Sequence, residues 1–442
     1  MIIDIIVVLF FSILLFKLEA KKFLFAGLIY FYLYIIYIYT GTIMMYYDEF
    51  YQKDIYFEKL QTIVRGGFFS IILAYFTTYF TVKRKDIKHI NLEVNLNESK
   101  KYAFSIVAGF IVLISTLYLI MIPNYPLFTM FTNPSQFDVI RESATTTFVN
   151  FGFYDNFFNF FLPMVWLIFL FQYKNKLFLF LFVLNIFISL NTGLKSPIVY
   201  FLFLLVLGMS LRNKQINYLK ISFYFIISLT FLMALVVFQN WHLLNGLSLD
   251  SLELAWQGLQ RRIFYGGVLP LKQYLEFFPQ FMNHYYLSPP EIVPSKLVYA
   301  YAYPDTKIVG TANTISLGNL YAAFGNFSLV FILFYFISLF IFLFDRIWFN
   351  QMKNSFDYSV YIMFCLISVK LVMTDWYTLM PTFIIFTFSF FGAIYLIESF
   401  LHYFASSKKS FVFYAPNKIF AIFSILMFLY FFQGQIKGLI LN

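Results

Sequence analysis

Apolar positions in this chain form long, nearly uninterrupted runs, and polar segments separate one run from the next. An α-helix needs about 20 apolar residues to cross a hydrocarbon layer of ~30 Å, and many of the runs reach that length. Few runs contain a charged side chain, because an ion in the middle of a bilayer is costly. The pattern predicts twelve membrane-spanning helices, at residues 2–16, 23–47, 65–82, 102–122, 157–172, 177–190, 197–211, 221–239, 315–344, 356–374, 379–403 and 417–433.

Two segments, 123–156 and 240–314, are too long to be simple turns and too polar to cross the membrane. Loops of this length are uncommon unless they have a function or are disordered. Both segments are rich in aromatic residues and proline, which disfavours disorder. We expect them to fold as lids with short interfacial helices, covering a cleft on the outer face of a single membrane domain, 1–442.

The composition agrees with a membrane protein. Hydrophobic residues make up 61% of the chain and charged residues 12%, and the chain contains 65 Phe and 35 Tyr. A soluble protein of 442 residues could not bury this much apolar surface in its core. The sequence therefore predicts an all-α polytopic membrane protein. Its single cysteine, Cys365, excludes an intramolecular disulfide.

Basic residues are concentrated in alternate loops, which hold more than half of the 31 Lys and Arg: 17–22, 83–101, 173–176, 211–220, 345–353 and 406–418. Cytoplasmic loops carry an excess of Lys and Arg, so we assign these loops to the cytoplasm and both termini and both lids to the outer side. This distribution accounts for most of the net charge of +10, and no nucleic-acid partner is expected. The first residues, MIIDIIVVLF, lack the basic start of a cleavable signal peptide.

Within the second lid, the stretch LDSLELAWQGLQRRIF at 249–264 has helical periodicity. Asp250 followed by Glu253 matches a capping box at its start, and Gly266, Gly267 and Pro270 are expected to end it. One face of this helix is apolar, formed by Leu252, Trp256, Leu259 and Ile263. The pattern predicts an interfacial helix that lies at the depth of the lipid headgroups.

Arg261 and Arg262 lie opposite the apolar face and at its border, so they are expected to point towards water or a cleft. One interpretation is that they contact the phosphates of ordinary lipids. The other is that they bind the diphosphate of a lipid-linked substrate, because a guanidinium group holds phosphate oxygens in a bidentate geometry and keeps its charge. The sequence does not separate the two.

Three further basic residues are candidates for anion contacts. Arg141 lies among acidic residues of the first lid and forms either a local salt bridge or a contact to the substrate. Lys195 lies in a tight outer turn, and Lys370 lies near the outer end of the tenth run with Asp375 close by in sequence. Each lysine either extends to the membrane surface or binds the substrate.

His242 and His284 are the two histidines expected on the outer side. Either could act as a general base for a hydroxyl group, or serve only in packing. The sequence has no zinc-ligand spacing, phosphate-binding loop, dinucleotide-binding turn or serine-nucleophile motif. We therefore expect no metal and no cofactor, and no transport driven by ATP.

Three segments resemble a known family. In LNTGLKSPIVYFLFLLVLG, at 190–208, Lys195 follows a glycine and precedes a serine and an apolar helix. The second segment, NTISLGNLYAAFGNFSLVFILFYF, contains a Gly–x–x–Tyr–x–x–Phe–Gly pattern formed by Gly318, Tyr321, Phe324 and Gly325. In the third segment, Arg141 precedes Gly152 in the first lid. Together with the two lids, they resemble the O-antigen polymerase or oligosaccharide repeat-unit polymerase family (Wzy type), where arginine is usual at the position of Lys195.

The resemblance implies glycosyl transfer on the outer face of the bacterial cytoplasmic (inner) membrane. A polymer on undecaprenyl diphosphate would be transferred to a lipid-linked repeat unit, giving O antigen or capsule-like polysaccharide, with membrane lipids and a chain-length regulator protein as further partners. Catalytic roles would fall to Arg261, Arg262 and His284. The diphosphate or glycan would be bound by Arg141, Lys195, Lys370, Tyr321 and His242. The general base stays open among His242, His284, Glu291 and Asp305.

Two other functions fit the same architecture. An O-antigen ligase would transfer the glycan to the lipid A core instead of extending it. A flippase or other transporter of lipid-linked oligosaccharides would be expected to have internal repeats and charges at the membrane midplane. The chain has no evident repeat, and its candidate charges lie at the outer rim, which favours glycosyl transfer.

Overall fold

The structure of the protein is a computed structural model. It describes residues 2–19, 26–83, 85, 98–122, 124–133, 136–144, 157–172, 174–191, 195–214, 223, 226–227, 230, 253, 256–258, 260–286, 292–304, 312, 314–374, 376–405, 424 and 426. The described residues form helices, turns and short connecting segments, and no strand occurs among them. The predicted all-α class is therefore confirmed. The runs predicted at 221–239 and 417–433 lie almost entirely outside the described residues.

The described helices follow the predicted apolar runs closely. They are α1 Ile2–Glu19, α2 Ala26–Tyr47, α3 Glu49–Gln52, α4 Phe57–Thr81, α5 Glu98–Met121, α6 Pro126–Thr132, α7 Phe137–Glu142, α8 Phe157–Phe171, α9 Asn175–Asn191, α10 Lys195–Arg212, α11 Val268–Phe277, α12 Pro294–Ala302, α13 Ser316–Phe324, α14 Phe327–Gln351, α15 Ser355–Lys370 and α16 Trp376–Ala405. A π-helical segment, Arg261–Tyr265, precedes α11.

Five of the described helices contain stretches that are long and apolar enough to cross a membrane: Ala26–Tyr47, Phe57–Thr81, Lys100–Met121, Phe327–Gln351 and Leu379–Leu401. Three further apolar helices are shorter: Phe157–Phe171, Asn175–Asn191 and Val199–Arg212. These helices have the character of a multi-pass membrane protein. The number of twelve spans stays a prediction.

The chain forms two compact units. The first contains residues 1–89, 253–351 and 364–380, and the second contains residues 90–252, 352–363 and 381–442. The second unit contains α8, whose residues are almost all buried, in keeping with its apolar character on every side. At its centre Trp166 is fully buried and packs against Phe182 and Phe201 of the two following helices.

In the first unit, the prediction of one continuous helix at 315–344 is wrong. The structure divides this run into two helices, α13 and α14. Gly325 ends α13 in the left-handed conformation, with a φ of 67°, and its N–H donates to the carbonyl of Tyr321 at 2.8 Å. Asn326 then begins α14, since its side-chain oxygen accepts hydrogen bonds from the N–H groups of Ser328 and Leu329. A C-terminal glycine and an asparagine cap thus separate the two helices.

Two ion pairs in the first unit each join helix ends that the predicted topology places on the same side of the membrane. At the predicted cytoplasmic end, Arg346 of α14 bonds Glu19 of α1 at 2.6 Å, and the Tyr75 hydroxyl donates to the same carboxylate at 3.0 Å. At the predicted outer end, Arg65 of α4 pairs with Asp4 of α1 at 2.7 Å. Both pairs therefore agree with the predicted topology, in which α1, α4 and α14 cross the membrane in the same direction.

Gly325→Ala is expected to destabilise the first unit. A Cβ would cost about 1–2 kcal/mol in the left-handed backbone, and it would also overlap the imidazole of His284. We expect a lower melting temperature of the purified protein in detergent. Gly109→Ala, on α5, is the control, because nothing lies within 4 Å of its new Cβ. Equal melting temperatures for the two variants would contradict the assigned backbone at Gly325.

Candidate functional site

A cluster of ionisable side chains lies in the first unit, in segments that the predicted topology places on the outer side. Lys272 of α11 is at its centre, with only 8% of its side chain exposed. Its Nζ lies 2.5 Å from Asp54 Oδ2 and also contacts Glu276 Oε1. We call Asp54, Lys272 and Glu276 the Lys272 cluster.

Local structure explains how the three side chains meet. Lys272 and Glu276 are four residues apart on α11 and therefore lie on one face of that helix. Asp54 lies in the turn between α3 and α4, and its Oδ1 accepts a hydrogen bond from the N–H of Tyr56 at 2.8 Å. This bond holds the carboxylate so that its other oxygen meets Lys272.

The two carboxyl groups keep Lys272 charged. Burial by itself lowers the pKa of the ammonium group, but hydrogen bonds to Asp54 and Glu276 outweigh burial, so the pKa of Lys272 is raised. Acidic groups outnumber the basic one in this cluster, so its local charge balance favours neutral or basic ligands over anions.

Arg261, the first residue of the π-helical segment, has an exposed side chain near this cluster. Tyr51 links the two regions, because its ring lies 6.3 Å from that of Tyr265 and 5.7 Å from Nζ of Lys272. Burial raises the pKa of Tyr51, and the positive charges of Lys272 and Arg261 counteract that rise. Arg262 lies in the same π-helical segment, and its side chain is outside the described residues.

Close packing on α2 positions the π-helical segment. A Cβ on Gly41 would overlap the carbonyl oxygen of Phe264 and come within 2.7 Å of the side chain of Val268. Gly41 therefore allows the backbone after Arg261 to lie directly against α2. The sequence predicts a helix that Gly266, Gly267 and Pro270 end. The structure gives a turn at the two glycines, but Pro270 lies in the first turn of α11, which starts at once, so it does not act as a terminator there.

His284 and Tyr321 are the two predicted site residues that the structure shows in ring contact. Their ring centroids are 5.3 Å apart in an edge-to-face arrangement, and His284 also stacks on Phe278 at 6.2 Å. Nδ1 of His284 lies 3.2 Å from the carbonyl oxygen of Ala322, so it carries the proton and donates. Its Nε2 faces Gly325. These contacts give His284 a packing role, and its role as a base stays a prediction.

The structure gives a physical role to three positions of the Gly–x–x–Tyr–x–x–Phe–Gly pattern. Gly318 allows α13 to approach α11, because a Cβ there would lie 3.3 Å from the ring of Tyr274 and closer still to Thr314. Tyr321 is 4% exposed and packs against His284, and Gly325 makes the left-handed turn. The segment thus supports α11, the helix that carries Lys272.

The other predicted site residues lie on further helices of the two units. In the second unit, Arg141 lies on α7 with its guanidinium 5.9 Å from the ring of Phe137, and Lys195 begins α10 with its side chain outside the described residues. Lys370 ends α15 and is half-buried. The remaining residues singled out in the sequence lie outside the described residues: Gly152, His242, Asp250, Leu252, Leu259, Glu291, Asp305 and Asp375.

Sequence reasoning missed the Lys272 cluster. The spacing of Lys272 and Glu276 signals a pair on one helix face, but Asp54 belongs to a distant loop with no local signal. In the part of the chain that the structure describes, no group of three His, Cys, Asp or Glu side chains could hold a metal ion. Comparison with models of protein families, with curated proteins and with solved structures finds no match for this chain.

Proposed function

We propose that this protein is a metal-independent glycosyltransferase that polymerises undecaprenyl-diphosphate-linked repeat units on the outer face of the bacterial inner membrane. The main support is that the segment resembling the polymerases, α13, packs on α11, which carries Lys272 close to the exposed Arg261. The apolar helices agree with a membrane location. The proposal includes the predicted arrangement of twelve spans and two outer lids. It also includes a chain-length regulator protein as a partner.

The proposed reaction joins two lipid-linked glycans. The acceptor hydroxyl oxygen attacks the anomeric carbon of the donor, the bond from that carbon to the diphosphate oxygen breaks, and undecaprenyl diphosphate leaves with the bonding electron pair. Arg261 and Arg262 stabilise the negative charge that develops on the diphosphate. The hydroxyl proton passes to a base, for which Asp54 and Glu276 are additional candidates beside His284.

Complementation tests the proposal in the strain that carries this chain, with the chromosomal copy deleted. Wild type is expected to restore a length ladder of surface polysaccharide on a gel. Arg261→Ala/Arg262→Ala, at normal protein level, is expected to leave mainly single repeat units, because removing a group that stabilises developing charge costs about 10²–10³-fold in rate. Arg141→Ala and Lys195→Ala test the predicted anion contacts in the same assay.

Lys296→Ala is the matched control, because Lys296 is an exposed basic residue on the same predicted lid. It should keep the full ladder. Restored attachment of single units without a ladder would identify a ligase, and restored export without polymerisation would identify a transporter. A full ladder from the double arginine variant would remove the proposed role of these arginines.

A further inference from the structure

Two aromatic rings in contact, one exposed and one half-buried, lie beside the Lys272 cluster. The ring centroids of Phe281 and Tyr301 are 4.7 Å apart. The ring centroid of Phe277 lies 5.6 Å from that of Tyr301 and 5.9 Å from that of Phe281. Phe281 is 57% exposed, although a packed aromatic group normally buries most of its surface. We call Phe281 and Tyr301 the aromatic pair.

Polar groups border the aromatic pair on the side of the cluster. Tyr301 lies within electrostatic range of Glu276, Asp54 and Lys272. The hydroxyl of Tyr56 donates to Oε1 of Gln280 at 2.8 Å, and the amide nitrogen of the exposed Gln280 carries two further donors. Flat apolar faces, carboxylate acceptors and amide donors thus lie side by side.

This combination selects one class of ligand. A lipid tail would need an apolar surface without adjacent carboxylates, because removing a charge from water is costly. A phosphate or an acidic sugar would meet an excess of acidic groups. An uncharged sugar ring satisfies both conditions, since its C–H face packs on aromatic rings and its hydroxyl groups bond carboxylates and amides.

We infer that the aromatic pair, with Glu276 and Gln280 at its edge, forms a subsite for an uncharged sugar ring of the lipid-linked glycan. This inference rests on the proposed function. The ring belongs either to the incoming repeat unit or to the growing polymer. Both have the same chemistry, and the product ladder separates them.

Binding is measured on the purified full chain in detergent, with the repeat-unit oligosaccharide released from the host polysaccharide as probe. Phe281→Ala and Tyr301→Ala are expected to raise the Kd about tenfold, the size of one stacking contact. Tyr301→Phe keeps the ring and should bind like wild type. Phe128→Ala removes an exposed aromatic ring from the other predicted lid, on α6, and is the control.

In complemented cells, loss of the two-unit product together with all longer products assigns the subsite to the incoming unit. Loss of long products alone assigns it to the growing polymer. If wild type makes a ladder but the alanine variants bind and polymerise like wild type, the inference is wrong and the proposed function stands. If the alanine variants bind the probe about tenfold more weakly than wild type but wild type makes no ladder, polymerisation is wrong and the sugar subsite stands. A ladder without binding of the probe to wild type also overturns the inference.

Discussion

Arg346→Met is expected to lower the free energy of unfolding by about 3–5 kcal/mol, because it leaves the buried carboxylate of Glu19 without its charged partner. The side chains of Arg346 and Glu19 are 1% and 0% exposed, and they are joined by a bond of 2.6 Å. The guanidinium also donates to the carbonyl oxygen of Val82 at 3.1 Å and lies 5.6 Å from the ring of Tyr75. The substitution therefore affects α1, α4 and α14 together.

The melting temperature of the purified protein in detergent measures this effect. Arg65→Met is the matched control, since Arg65 also pairs with an acid of α1 but is 42% exposed, and such pairs contribute at most about 1 kcal/mol. The double variant Glu19→Leu/Arg346→Met removes both charges and should recover much of the stability. Equal losses for Arg346→Met and Arg65→Met would show that burial of the first pair has no energetic consequence.

Under the proposed function, Gly41→Ala is expected to reduce polymerisation about 10²-fold, because a shift of about 1 Å in a catalytic group has effects of that size and Arg261 is the proposed one. The new Cβ would overlap the carbonyl oxygen of Phe264, a backbone atom that moves only with the whole π-helical segment. Overpacking of this kind also costs about 1–3 kcal/mol of stability. The predicted loss of activity exceeds what this destabilisation alone would cause, since Arg261 moves with the segment.

The ladder assay and the melting temperature are measured on the same variant. Gly258→Ala, just before the π-helical segment, is the control, because no atom lies within 4 Å of its new Cβ. It should keep full activity and gain up to about 1 kcal/mol from better helix propensity. A full ladder from Gly41→Ala at normal protein level would show that the position of Arg261 against α2 is unimportant for activity.

The sequence alone determined where most of the long apolar helices of the described residues lie. The bounds expected for α2, at 23–47, differ from the observed Ala26–Tyr47 only at the start, and those for α9 and α10 differ by a few residues at most. Such agreement has a physical cause. In hydrocarbon every backbone polar group must be bonded within its own segment, so a long apolar run can be satisfied locally only as a helix.

The sequence also singles out two residues that are neighbours in the structure. His284 and Tyr321 were singled out as separate candidates, one as a histidine on the outer side and the other in a family pattern. Their ring contact was not predicted, because it depends on the left-handed turn at Gly325. A glycine within an apolar run gives little sign of ending a helix, so the run at 315–344 was expected to be continuous.

The tertiary structure alone decided which distant residues meet. It brought Asp54 to Lys272, placed Arg346 against Glu19, and set the backbone of Phe264 against Gly41. Hydrophobic periodicity indicates which face of a segment avoids water. The same periodicity is compatible with many different neighbouring helices, so it does not specify which helix packs there. Ion pairs and close backbone contacts depend instead on which helices are adjacent and at what height, so only the folded chain specifies them.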